Sequence, residues 1–154
     1  MYMSILTIIQ LVVFLLYVGF IVKRYGVLPS ISDSWYVLPL RQQFLFTLFT
    51  WGIGIPMLFY GNVWFFLSGS GLSFVGAATA FKDKIGLTKE VHYGGAVVGI
   101  LGALIGIIVE YGNYLPLVWF LFLAISIQVS YMKNKIWWQE IVAFLLILFG
   151  LIAQ

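Results

Sequence analysis

Few residues in this chain can do chemistry, and they fall in short stretches. The densest is SISDSWYVLPL (30–40), which sets Ser32 and Asp33 just ahead of Trp35 and Tyr36. Asp83, Glu90 and His92 come later, then Glu110 and Glu140. A carboxylate beside an imidazole orients the ring and raises its basicity. Ser32, Asp33, Asp83 and His92 are therefore a candidate polar site near the inner interface. Asp33, Asp83 and His92 are the candidate ligands for a divalent cation. Such a group would activate water, hold the cation or grip a lipid headgroup. A second account needs no activity. Ser, Asp and Pro favour turns and helix N-caps. On that account Asp33 or Ser34 caps a short helix over 35–38, limited by Pro39 and lying flat in a headgroup layer. His92 is then satisfied by backbone or water, and Asp83 only neutralises Lys82 and Lys84.

The elements that must position these residues are written in the composition. Of 154 residues, 63% are hydrophobic and 8% charged, and the mean hydropathy is +1.09. Soluble domains carry about a quarter charged residues, and a chain of this size cannot hide so much apolar surface from water. Lipid is its solvent. With no Cys, disulfides, thiolate catalysis and cysteine metal sites are excluded. One His excludes a multi-histidine site within one chain. The net charge of +3 does not imply nucleic acid, because the basic residues sit between apolar runs and form no recognition surface.

A helix needs about 20 residues to cross the hydrocarbon core of a bilayer. The apolar runs predict an all-α bundle of six transmembrane helices in one domain, over 3–22, 42–60, 63–81, 91–109, 114–132 and 137–153. The first run lacks an early Lys or Arg, and Lys23-Arg24 follow it, so it reads as a retained span and not a cleaved signal. All eight basic residues (Lys23, Arg24, Arg41, Lys82, Lys84, Lys89, Lys133 and Lys135) fall in the first, third and fifth connections. Lys and Arg are retained on the cytoplasmic side. The N-terminus is thus expected outside and the odd connections inside, in a cell membrane (the inner membrane if the source is bacterial). Trp35, Tyr36, Trp137 and Trp138 are expected to anchor the inner interface, with Trp64 and Trp119 nearer the outer one.

Small residues predict how the spans pack. Gly95, Gly99, Gly102 and Gly106 are spaced i, i+4, i+7, i+11, and Gly69, Ser73, Gly76 and Ala80 repeat that spacing. Apolar burial does little between helices in lipid, so close approach through small residues supplies the contact. The two spans are expected to form a tight antiparallel hairpin, although the same stripe would serve self-association or a membrane protein partner. His92 continues the stripe and faces the bundle. Gln43, Thr47, Thr50 and Gly54 share a face of the second span, either as packing glue or as the lining of a water-filled cavity. Pro56 predicts a kink near that span's end.

PSISDSWY (29–36) after a first span, followed by VHYGGA (91–96) entering a glycine-rich span, resembles small six-span proteins of the DRAM/Sfk type, over roughly residues 20–110. More distantly the pattern is similar to the ceramidase and progestin-receptor-like membrane superfamily. Hydrolases there use a Ser, an Asp and three His around zinc. The resemblance implies Ser32, Asp33 and His92 as the matching positions, and a single His leaves the zinc set incomplete.

The favoured reading is a non-enzymatic, lipid-associated or scaffold-type membrane protein with a small polar site at the cytoplasmic interface. Membrane lipids are its expected partners. No cofactor is expected, apart from a divalent cation that the acid–imidazole set could take. The alternatives are a membrane-embedded hydrolase or metal-binding protein built on Asp33, Asp83 and His92, a small transporter or channel lined by Gln43, Thr47 and Thr50, and a holin-like lytic protein.

Overall fold

The computed structural model describes the backbone of residues 2–78 and 87–154, with side chains from Ile5 to Ala77 and from Glu90 onward. Lys82, Asp83 and Lys84 and the packing position Ala80 lie outside the described residues. Everything described is helix or connection: α1 (Tyr2–Tyr25), α2 (Ser34–Val37), α3 (Phe44–Met57), α4 (Val63–Ala78), α5 (Leu87–Tyr111), α6 (Leu115–Val129) and α7 (Lys135–Ile152), with a 3-10 turn at Leu40–Gln42.

Local chemistry ends each helix. Gly26 and Gly112, with φ of 78° and 65°, follow α1 and α5 in the left-handed region that glycine adopts without strain. Asn62 caps α4 by accepting the Trp64 and Phe65 N–H groups on Oδ1, both at 3.0 Å. Pro116 opens α6 in its first turn, where the missing N–H is not needed.

Among the described residues three helices are long and apolar enough to cross a membrane: Ile5–Tyr25, Glu90–Tyr111 and Lys135–Ile152. Two others, α3 and α6, differ from the sequence expectation. The run 42–60 yields only the 14 residues of α3, about 21 Å long. At its start Gln42 ends a 3-10 turn and Gln43 caps it. At its end, past Pro56, the chain tightens to bonds from Leu58, Phe59 and Tyr60 to Ile55, Pro56 and Met57. The run 114–132 yields α6 of 15 residues, about 22 Å, stopped where the Ser130 hydroxyl bonds the Ile127 carbonyl. The described part of α4 has 16 residues.

The six longer helices alternate in direction. Thr7, Gln10 and Tyr17 of α1 meet Tyr60, Ile53 and Phe49, in that order, so α3 returns antiparallel along α1. The core between α1, α3 and α7 is aromatic. Tyr17 stacks on Phe49 at 4.4 Å between centroids, and Phe14 meets Phe144 at 5.5 Å. On the far side α6 packs mainly on α7, where Gln139 donates to the Ala124 carbonyl at 3.1 Å.

Backbones come closest around α4. On one side it meets α5: a Cβ on Gly71 would lie 2.6 Å from the Gly95 carbonyl oxygen, and one on Gly102 2.9 Å from the Trp64 carbonyl oxygen. Ser68 clasps the pair by donating to the Gly99 carbonyl at 2.5 Å. All four glycines of the α5 stripe, Gly95, Gly99, Gly102 and Gly106, face α4. The α4 stripe does not face them. Gly69, Ser73 and Gly76 turn to α3, where a Cβ on Gly69 would lie 2.5 Å from the Gly54 carbonyl oxygen and Thr50 fills the space beside Gly76. The helix is small on two sides because LSGSGLSFVG sets glycines at both 69 and 71, roughly 200° apart at 100° per residue. Residue 71 therefore meets α5 and residue 69 meets α3.

Candidate functional site

The segment 26–43 is folded into the end of the bundle. Its turn begins at Ser30, whose hydroxyl accepts the Asp33 N–H at 3.2 Å and donates to Asp33 Oδ2 at 2.9 Å. The Ser30 proton is thereby committed, so the 2.9 Å contact between the Ser30 and Ser32 hydroxyls has Ser32 as donor. Asp33 precedes α2 without capping it through its side chain. Pro39 follows, and Leu38 before it turns extended at ψ 135°.

This turn is held from three directions. Ser34, 0% exposed, pairs with the Tyr17 hydroxyl of α1 at 2.6 Å. Gln43 donates to the Trp35 carbonyl at 3.2 Å. From α7, Asn134 donates to the Val27 carbonyl at 2.9 Å, Trp137 N–H to the Pro29 carbonyl at 3.1 Å, and Glu140 Oε2 accepts the Ile31 N–H at 2.5 Å. Leu28, Ile31 and Leu38 are buried beneath. The segment thus seals one end of the bundle and does not lie flat outside it.

His92 is half-buried on α5, its imidazole beside the backbone of Val75, and it lies within electrostatic reach of Asp33. Glu140 also lies within reach of Asp33. Asp33 and His92 are thus brought to the same end of the bundle, and Glu140 joins them from α7. Ser32 bonds to Ser30 and not to the imidazole. Among the described residues no three His, Asp or Glu side chains are placed to hold a metal ion.

No family model, curated protein or solved structure matches this chain. The geometry alone therefore speaks for the site.

The expected interface anchors separate. Tyr36 is 58% exposed, while Trp35 is half-buried edge-on to Phe46 at 6.4 Å. Trp137 is 1% exposed, inside the core, and Trp138 is half-buried. The helical period accounts for this: Trp137, Phe144 and Leu151 lie seven apart on the inward face of α7, and all three are buried. The polar face of α3 is also occupied. Thr47 donates to the Gly76 carbonyl at 3.1 Å and Thr50 to the Thr47 carbonyl at 3.0 Å, so these hydroxyls join or stabilise helices where α3 meets α4.

A second polar cluster sits near the opposite end. Tyr60 donates to Gln10 Oε1 at 2.5 Å and contacts the Thr7 hydroxyl at 2.9 Å, and Gln10 donates to the Ile53 carbonyl at 2.6 Å. Gln10 is 0% exposed, Thr7 1% and Tyr60 2%. The signal for it is Thr7 and Gln10, three apart on one face of an otherwise apolar run.

The two ends differ in charge. Lys23, Arg24, Arg41, Lys133 and Lys135 cluster with the sealing segment, and all but Lys135 are exposed. At the other end Asn62 donates to Glu110 Oε2 at 3.0 Å, and the connections there hold no Lys or Arg.

Proposed function

We propose that the chain is a non-enzymatic, scaffold-type integral membrane protein. It spans the bilayer six times with its N-terminus outside, and its basic end lies among lipid headgroups at the cytoplasmic face. The observation that carries this reading is the use made of the polar residues in 30–36. Ser30, Ser32, Ser34 and Asp33 are all engaged in fastening the segment to itself and to α1. Hydrolysis by such a set needs a nucleophile or water within hydrogen-bond reach of a base, and Ser32 is committed elsewhere. The alternation of helix directions and the basic end support six passes. The shorter helices α3 and α6 would cross with their flanking aromatic and polar residues at the headgroup level and a locally thinned bilayer.

The test is lipid turnover. The protein, reconstituted in vesicles containing ceramide and diacyl phospholipids, is expected to release no more free fatty acid than protein-free vesicles, as read by mass spectrometry. Release that disappears in His92→Ala or Asp33→Asn would overturn the reading and favour the hydrolase.

A further inference from the structure

We infer that the basic end is a binding surface for anionic phospholipids, formed by Lys23, Arg24, Arg41 and Lys133. This deepens the reading just given and rests on it. Three observations converge. First, the fold collects these side chains from three separate stretches. The Asn134 bond to the Val27 carbonyl draws the 130–134 connection against the chain leaving α1, and the Gln43 bond to the Trp35 carbonyl holds the Arg41 turn on the same sealing segment.

Second, their charge is left available. Two carboxylates at this end turn away from them: Asp33 takes the Ser30 hydroxyl, and Glu140 takes the Ile31 N–H, while a third, Glu90, stands exposed at the start of α5. Among the described residues no carboxylate is ion-paired with any of the four. Arg24 lies over the Tyr25 ring at 5.7 Å, which leaves its N–H edge for an acceptor.

Third, the surface between the charges suits the headgroup layer. Leu40, beside Arg41 in sequence, is 87% exposed, and Tyr131 and Met132, just before Lys133, are 106% and 45% exposed. A layer of ester carbonyls and phosphates satisfies both kinds of group at once, with apolar side chains entering the carbonyl region and basic groups meeting phosphate oxygens. Arginine presents paired N–H donors that fit a phosphodiester, and lysine acts as a point charge.

A single basic group close to an anionic surface favours association by about five-fold, and screening by salt removes the preference. The test uses the full chain in vesicles of equal parts phosphatidylglycerol and phosphatidylcholine, with spin-labelled forms of each lipid added in turn. The motionally restricted fraction reports the lipid at the protein surface. Phosphatidylglycerol is expected to exceed phosphatidylcholine by about five-fold or more in relative association. The ratio should fall toward one at high salt and in the K23Q/R24Q/R41Q/K133Q variant, while Glu110→Gln at the opposite end leaves it unchanged. A ratio of one in the native chain at low salt would overturn the inference, as would a ratio that neither salt nor the fourfold variant lowers. The salt series needs no variant to fold. Side-specific labelling separates the two levels: a chain labelled in the expected orientation with a ratio of one loses this inference alone.

Discussion

Gly71→Ala should loosen the bundle where Gly94→Ala should not. A Cβ on Gly71 would sit 2.6 Å from the Gly95 carbonyl oxygen and 2.9 Å from the Gly99 nitrogen. Carbon–oxygen contact of this kind is comfortable from about 3.3 Å. Both obstacles are backbone of α5, so no side chain can swing aside. The two helices must part by about 0.7 Å, enough to forfeit a quarter to a half of the dispersion energy at the contacts around the site. Overpacking of this kind costs about 1–3 kcal/mol. The better helix propensity of Ala returns up to about 1 kcal/mol. Gly94 supplies the control, since nothing lies within 4 Å of a Cβ built there. The Gly71→Ala variant should thus be less stable than Gly94→Ala by about 1–3 kcal/mol, measured by titrating folded protein in mild detergent with a denaturing one and following helix content. Equal stability of the two variants would refute the backbone contact between α4 and α5.

Two further predictions probe the polar contacts. Gln10→Leu removes a donor to Ile53 and an acceptor for Tyr60 while nearly conserving volume, so it should cost about 1 kcal/mol in the same titration, in keeping with interhelical hydrogen bonds in bilayers. No loss would mean that Gln10 does not bridge α1 and α3. Glu140→Ala removes the acceptor for the Ile31 N–H, so hydrogen exchange at that amide should quicken at least about tenfold, the equivalent of one net hydrogen bond. Unchanged exchange would mean that Glu140 does not hold the Ile31 amide.

Much of the architecture was legible in the apolar runs, because lipid imposes one rule on every residue of a span. The runs at α1, α5 and α7 became helices long enough to cross. Less legible were the lengths of α3 and α6, since hydropathy continues through Pro56 and past Ser130 while the backbone hydrogen bonding does not. The α4 stripe misled for a related reason. Spacing alone identifies a small face, but a helix with glycines at both 69 and 71 has two, and only packing decides which neighbour takes which. Trp137 and Trp138 look alike as neighbours in sequence, yet the seven-residue interval to Phe144 and Leu151 decides which one is buried. Asp33 and His92 were readable as residues of the same end. The contact of Ile31 with Glu140, 109 residues apart, was not, because nothing local to either residue announces it.

Side-specific labelling tests the central claim most directly. The chain has no native Cys, so single cysteines at Tyr114 and Tyr131, 62% and 106% exposed, give unambiguous reporters at the two ends of the bundle. In sealed cells or right-side-out vesicles a membrane-impermeant maleimide should modify the Tyr114 position at once and the Tyr131 position only after the membrane is opened. Labelling of the Tyr131 position in intact cells, or of both positions from the same side, would contradict the account.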